Sequence, residues 1–471
     1  MNDLPTPDGR RDFLKTSAAG LAGLYVGAGS RRASAAGAGA DRVRLAVVGI
    51  GGRGFQLIEA MDATGLAEFV AFADIDPEFR TAKQSLAAHP EVPFYTDFRR
   101  MLDAHEAEID AVVVATPDHT HVPPAIDAMR RGKALYCEKP LAHTFEETQL
   151  LLDASRKFGV LTQMGNQGHS AENLRQAIEF ERAGLFDGVK KVIAHQNMGR
   201  RWKPLERAKV DDYFSEPRPG HVAWDLWIGP RADAPYSKWL HPAKWRLWWE
   251  FGAGSFGDWG PHTLDTAHRF LELGLPTRVE AVHRKSPHSL LYPEQSTIRL
   301  DFPANDRRGP IEVEWRDGGY NDPEKIYAIP ATGKKLYGGK QFHFEDKYYI
   351  GHSHSSPLYA FTRDDEPIET PDFEGKETAA RWTTQQEHYH YDEHILNFLR
   401  ACKGLEEPNS PFEIGAPLVQ AIHVGRVAMR LGGALTFDPA TKRFTGPRAE
   451  AANSLLSPPA PKSEWAEYFK I

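Results

Sequence analysis

Arg44-Leu45-Ala46-Val47-Val48-Gly49-Ile50-Gly51-Gly52-Arg53-Gly54 is the stretch that decides the fold. A short apolar run leads straight into Gly-x-Gly-x-x-Gly, and residues 55–61 then read as a helix. Gly49 permits a tight turn, Gly51 lets the backbone approach a pyrophosphate, and Gly54 lets helix and strand pack closely. The free N–H groups and the positive end of the helix dipole face the phosphates. A second strand, residues 68–73, ends at Asp74, where a ribose-binding carboxylate belongs. Such a carboxylate accepts hydrogen bonds from ribose hydroxyls and repels a 2′-phosphate, which favours NAD over NADP. Asp76 is the alternative partner for the ribose.

Working outward, strand and helix alternate from residue 42 to about 162, the mark of a doubly wound parallel sheet. Helices are predicted at 81–89, 98–105, 123–131 and 144–158, the last with Thr144 and Glu147 as a capping box. Strands are predicted at 93–95, 111–115, 134–137 and 160–164. The glycine turn, Asp74, residues 116–121, Glu138-Lys139-Pro140 and residues 165–169 all fall at strand carboxyl ends, where ligands sit in such folds. Beyond Met164 the texture changes. Runs at 189–197, 278–284, 296–302 and 311–316 alternate in period two and predict an open, mainly antiparallel sheet. Between the first two lies a tryptophan-rich section from Trp202 to Trp259, and a loop section this long is expected to bind something. Residues 338–372 read as polar loops, 394–403 and 417–431 as helices, and 451–463 as a loose linker before a short docking tail.

The division that follows is a leader at 1–40, a dinucleotide-binding domain at 41–163, a substrate and oligomerisation domain at 164–450, and a tail at 451–471. In the leader, Arg10-Arg11-Asp12-Phe13-Leu14-Lys15 is a twin-arginine signature. A small apolar stretch follows it, and Ala33-Ser34-Ala35 is a small-x-small cleavage site. That route carries folded proteins, so the expectation is a periplasmic protein handled by the twin-arginine export machinery, with a nucleotide taken up beforehand and kept tightly bound. The 471 residues are 41% hydrophobic and 26% charged, with a net charge of -7. This gives no reason to expect a nucleic-acid partner. No apolar run predicts a membrane anchor. The two cysteines, Cys137 and Cys402, form no metal-binding pattern and read as buried thiols.

Two constellations carry chemistry. Glu138-Lys139-Pro140 sets an ammonium at a strand end beside the predicted nicotinamide, where it can hydrogen-bond a substrate hydroxyl; Pro140 is a candidate for a cis bond. Asp258 and His262 are four apart inside a glycine-rich helix start and share a face. A carboxylate beside an imidazole can fix its tautomer and support it as a general base. His119, His121 and His169 match no standard zinc spacing, so no metal is expected. The tryptophans are either core or the lining of a sugar cleft. The pairs around His352-Ser353-His354 and His388-Tyr389-His390-Tyr391 read as polar loop or substrate rim.

Together the Val-Gly-Ile-Gly-Gly-Arg-Gly turn, the Ala-Thr-Pro-x-x-x-His run at Ala115 to His121, the Glu-Lys-Pro triplet and the Asp258-x-x-x-His262 pair resemble the Gfo/Idh/MocA family of sugar and cyclitol oxidoreductases, over about residues 42–442. The resemblance implies a Rossmann domain followed by an α/β domain with an open sheet, and a homo-oligomer. It implies that Gly49, Gly51, Gly52, Arg53 and Gly54 hold the pyrophosphate and Asp74 the ribose. Thr116, Pro117, His121, Glu138 and Lys139 would line the cofactor cleft, with Asn166 and Gln167 under the nicotinamide. Lys139, Asp258 and His262 would be catalytic: His262, oriented by Asp258, takes the hydroxyl proton and Lys139 stabilises the alkoxide, or the two roles are exchanged. Three activities follow: a hydride-transferring carbohydrate oxidoreductase, an NAD-dependent glycoside hydrolase working through transient oxidation at C3, or a non-catalytic sugar-binding protein of the same fold.

Overall fold

A computed structural model describes residues 41–170, 172–196, 214, 216–318, 328–329, 334–335, 338–353, 357–372 and 391–471. The leader, Trp202, His354 and His388-Tyr389-His390 lie outside the described residues.

The first half is built from β1 (Val43–Val48), α1 (Arg53–Ala63), β2 (Ala67–Ala73), α2 (Arg80–Ala88), β3 (Phe94–Tyr95), α3 (Phe98–His105), β4 (Ala111–Val114), α4 (Val122–Arg130), β5 (Ala134–Glu138), α5 (Phe145–Phe158) and β6 (Thr162–Gly165). The six strands are parallel in the order β3-β2-β1-β4-β5-β6. This is the doubly wound order whose reversal point lies at the end of β1. The strands are apolar on both faces because helices cover both, and β4 is buried at every residue. Thr144 caps α5 as expected, its hydroxyl accepting from the Glu147 N–H at 3.2 Å.

The second half contains α6 (Glu172–Arg182), β7 (Lys191–Gln196), α7 (Trp224–Ile228), α8 (Gly254–Phe270), β8 (Arg278–Lys285), β9 (Gln295–Phe302), β10 (Ile311–Asp317), β11 (Ala328–Ile329), β12 (Lys334–Lys335), β13 (Gly338–His343), β14 (Lys347–His352), β15 (Tyr359–Thr362), β16 (Pro367–Ile368), α9 (Tyr391–Cys402), α10 (Phe412–Leu431), β17 (Gly433–Asp438), β18 (Arg443–Thr445) and α11 (Ala449–Asn453). Ten strands form one sheet, β16-β15-β14-β13-β7-β10-β9-β8-β17-β18, antiparallel except for the β7–β10 pair. The fold is therefore a parallel Rossmann sheet followed by a mainly antiparallel α/β domain. One expectation is corrected here: the described residues of 338–372 include four strands of the sheet, β13 to β16, and are not loops over it. Their glycines are a consequence of close approach, since a Cβ on Gly339 would meet the Gly351 carbonyl oxygen.

The core of the second domain packs α6, α8 and α10 onto the inner face of this sheet, with Phe256 stacked on Trp315 at 4.9 Å. The parallel sheet has a core on each face. One includes α3, α4 and α5. The other includes α1 and α2 and is completed by Ile395, Phe398, Leu399 and Cys402 of α9, returning from far along the chain. Both cysteines are buried thiols. The loose-linker reading of 451–463 is also corrected, since Leu456 is buried and its carbonyl accepts from the Glu146 N–H at 3.0 Å, while the tail docks as expected in a final 3-10 turn, Ser463–Phe469, that buries Trp465 and Tyr468. Among the described residues, no helix is long and apolar enough to cross a membrane.

Candidate functional site

A cleft of about 770 Å³ opens at the carboxyl ends of β1, β2, β4 and β5 and is roofed by the tryptophan-rich insert and α8. Gly49, Gly51, Gly52 and Arg53 line it, with Asp74, Thr116, Pro117, Glu138, Lys139 and Gln167 along the strand ends and Asp258 and His262 opposite. Lys139 and the Asp258/His262 pair, encoded more than a hundred residues apart, thus face one space.

The turn is held by contacts that only glycine permits at two positions. Gly49 has φ +84° and its missing Cβ would fall 2.9 Å from the Ala115 carbonyl. A Cβ on Gly54 would lie 1.7 Å from the Gly49 carbonyl oxygen, so α1 can start only by pressing its backbone onto the turn. Asp74 stiffens the same loop. Its Oδ2 accepts from the N–H groups of Ile50 (2.8 Å) and Gly51 (3.1 Å), and its Oδ1 from Asp76 (3.0 Å). Each carboxylate oxygen has two lone pairs, so Oδ1 keeps one acceptor site for a ribose hydroxyl. Asp76 is not available for that role: its carboxylate accepts from His241 Nε2 at 2.7 Å, which ties the insert to the end of β2. Burial works to raise the Asp76 carboxyl, but the His241 hydrogen bond and charge bring it below the ordinary value.

The residues present fit a dinucleotide. The buried Thr116 hydroxyl oxygen faces the cleft without a hydrogen-bond partner among the described residues, and no atom lies within 4 Å of where a Gly52 Cβ would project, at the start of α1. Arg53 is anchored, its Nε donating to Glu138 Oε1 at 2.7 Å, which joins the head of α1 to the end of β5.

Lys139 follows directly, and its peptide bond to Pro140 is cis. Its Nζ donates to Asp258 Oδ1 and to the Asp258 carbonyl, both at 2.8 Å. Arg246 Nε lies 3.4 Å from the same Oδ1. Here an expectation changes. Asp258 and His262 do share the cleft-facing side of α8, but among the described residues the carboxylate is hydrogen-bonded to Lys139 and not to His262. Two cations outcompete an imidazole for one carboxylate.

Three other predicted residues sit behind the cleft. Gly54 lies under the turn. His121 bridges the carbonyls of Thr116 (2.8 Å) and Pro140 (3.1 Å). Asn166 donates to the Pro261 carbonyl at 3.1 Å, holding α8 against the end of β6. His119 is a core residue between the carbonyls of Trp227 and Phe251, and His169 meets Asp265 at 2.5 Å. Of the tryptophans, Trp227, Trp245 and Trp259 line the cleft, while Trp224, Trp248 and Trp249 are buried packing. The sequence reading missed Arg246, His241, Phe79 and Trp465, which also line the cleft. The Trp245-Arg246 pair inside the insert was the one local signal, an arginine 4.1 Å over an indole ring.

Burial pushes His119 and His394 down to about 3 and His268 to about 4 from an ordinary 6.5. The unfolded chain therefore binds more protons below pH 6.5, and stability is lost as pH falls from there toward these folded values. Melting temperature is expected to drop steeply between pH 6.5 and 4.5, each such histidine costing about 1.4 kcal/mol by pH 5.5. A flat profile over that window would contradict the burial of these rings.

Two family models match the chain. One, described as "Oxidoreductase family, NAD-binding Rossmann fold", covers residues 43–166. The other, "Oxidoreductase family, C-terminal alpha/beta domain", covers residues 168–287. Between them they span more than half of the sequence. The chain belongs to the Gfo/Idh/MocA family. Among curated relatives of this Gfo/Idh/MocA chain, the rhizopine catabolism protein MocA of Rhizobium meliloti is 32% identical over 155 residues, 33% of this chain and 47% of that protein. A glycosyl hydrolase family 109 protein of Saccharopolyspora erythraea is 31% identical over 206 residues, 39% of this chain and 44% of that protein. The chain thus spans a little under half the length of these relatives. The fold is shared with the WlbA dehydrogenase of Bordetella pertussis, solved with NADH and UDP-GlcNAcA, at a TM-score of 0.59 and 17% identity over 85% of this chain and 98% of that one.

Proposed function

We propose that this Gfo/Idh/MocA member moves a hydride between a retained NAD and a hydroxyl-bearing carbon of a sugar, cyclitol or glycoside. The observation that carries the reading is the convergence of Lys139 and His262 on the cleft that also holds the glycine turn and Asp74. When bound, the nicotinamide supplies the hydride acceptor or donor. The chain's own groups handle the oxygen and its proton. An ammonium has three donors, and two of those of Lys139 are engaged by Asp258. The third is left for the substrate oxygen, where it stabilises negative charge as an alkoxide develops. His262 takes or returns the hydroxyl proton, or the two residues exchange these roles. Asp74 favours NAD over NADP by its charge. A twin-arginine leader at residues 1–40 accords with export to the periplasm with the cofactor in place, and the family analogy with a homo-oligomer.

A second reading is a redox-neutral glycoside hydrolase, in which the hydride is taken from C3, the aglycone is eliminated, water adds and the hydride returns. The similarity to the family 109 glycosyl hydrolase favours it. Mass spectrometry of nucleotide released from freshly purified protein is expected to find NAD; NADP or no nucleotide would contradict the retained-NAD reading. Aryl glycosides separate the two activities. Aglycone release without net nicotinamide reduction selects the hydrolase, and reduction without release selects the dehydrogenase.

A further inference from the structure

Arg246 enters the cleft from the tryptophan-rich insert, in the turn Lys244–Leu247. Its backbone is fixed. A Cβ on Gly252 would fall 2.5 Å from the Arg246 Cα, so the turn lies directly on the approach to α8. Gly252 is itself clamped: its carbonyl accepts from His143 Nε2 at 3.0 Å and from the Tyr292 hydroxyl at 2.9 Å. The side chain is fixed as well, its guanidinium lying 4.1 Å over the buried Trp245 ring.

This guanidinium is underused by the protein. Its nearest carboxylate oxygen is Asp258 Oδ1, 3.4 Å from Nε, and that oxygen already accepts from Lys139 at 2.8 Å. The two terminal nitrogens donate to no described residue. The side chain is 28% exposed where it lines the cleft, so those donors are within reach of a bound molecule. A guanidinium is a flat fork that matches a carboxylate through two parallel hydrogen bonds.

The shared oxygen of Asp258 fixes where the fork stands. It is beside the Lys139 ammonium, at the end of β5, and not at the glycine turn. A ring hydroxyl resting on Lys139 brings a neighbouring substituent of the same ring toward Arg246. The charge at this end accords with an anion. Lys139 and Arg246 face Asp258 and Asp118, and burial pushes the Asp118 carboxyl up against the pull of the Arg246 charge. Oxidised nicotinamide would add one more positive charge.

We propose that Arg246 is the specificity-determining residue of the cleft and that the substrate is an acidic sugar or cyclitol, its carboxylate held by the Arg246 fork while a ring hydroxyl rests on Lys139. The proposal rests on the hydride-transfer reading above and narrows its substrate class.

The test uses the full-length protein with matched pairs of compounds: glucuronate against glucose, galacturonate against galactose, and quinate against inositol. Bound nicotinamide absorbance reports kcat and KM. For at least one pair the acid is expected to exceed its neutral partner about tenfold or more in kcat/KM, in keeping with a hydrogen-bonded charge pair. Arg246→Gln keeps a flat polar end on Trp245 but loses the charge, and should bring that ratio to about one through a higher KM for the acid. Arg246→Lys, with charge but no fork, should fall between. The comparison within pairs on the unsubstituted chain stands even where a variant fails to fold. Neutral partners equal to or better than the acids in every pair, or an acid-to-neutral ratio unchanged in Arg246→Gln, overturns the assignment while leaving hydride transfer intact. If neither member of any pair changes the bound nicotinamide, the hydride-transfer reading itself fails and the assignment with it.

Discussion

Lys139→Met is expected to lower turnover about 1,000-fold while the protein still carries its nucleotide, a loss within the range usual for a positioned proton-transfer or charge-stabilising group. Methionine keeps much of the side chain's length and apolar stem but removes the ammonium that donates to Asp258 and, in the proposed function, to the substrate oxygen. His262→Ala should lose a comparable factor, and the double variant should lose little more than either alone, because the two act on one oxygen and its proton. Asp258→Asn should fall between wild type and these variants, since the residue 258 carbonyl still accepts from Lys139. Single-turnover kinetics with bound nicotinamide as reporter measures all four. A Lys139→Met protein with near wild-type rates would remove the lysine from the chemistry.

Gly54→Ala has the second large effect, this time on folding and cofactor retention together. The added methyl would sit 1.7 Å from the Gly49 carbonyl oxygen, and both partners of that clash are backbone. The start of α1 must move away from the turn, at a cost of about 3 kcal/mol, the upper part of the usual overpacking range. The shift also misaligns the N–H groups that the phosphates need. Gly52→Ala is the matched control. No atom lies within 4 Å of its missing Cβ, and its φ is +53°. With ψ at -107° it lies outside the left-handed helical well, so alanine there should cost about 1–3 kcal/mol of backbone strain with no clash that moves α1. Thermal melting and nucleotide content of the purified variants check both. A Gly54→Ala protein that melts and retains nucleotide like the wild type would contradict the packing seen at the turn.

The parallel domain was legible because its physics is local. Strands covered on both faces read as apolar runs, and the glycine turn has one use in that context. Lys139 and the Asp258/His262 pair were legible because motif and strand-end position agreed. Other features depend on pairings across the chain. Strand β13 is polar and glycine-rich and becomes a strand by joining β7, some 145 residues earlier in the sequence, and β14 to β16 add in turn to its far side. Helix α9 completes a core laid down three hundred residues before it, and its sequence does not say so. Helical spacing put Asp258 and His262 on one cleft-facing side of α8 but gave no account of Arg246, which enters from the insert and, with Lys139, claims the carboxylate. Trp465 belongs to the short docking tail, which docks as read, but the Ala, Ser and Pro content of 451–463 before it suggested a loose linker where Leu456 is buried. The buried aromatics of the tail, two of seven residues in the turn, were the signal for docking.

Near-ultraviolet absorbance of the protein-bound nicotinamide, followed while the purified protein is mixed with a panel of sugars, cyclitols and aryl glycosides, tests the convergence of these groups most directly. The prediction is a rise or fall on the turnover timescale with at least one compound, abolished in the Lys139→Met, His262→Ala double variant. Silence across the whole panel, or an equal change in the double variant, would contradict it.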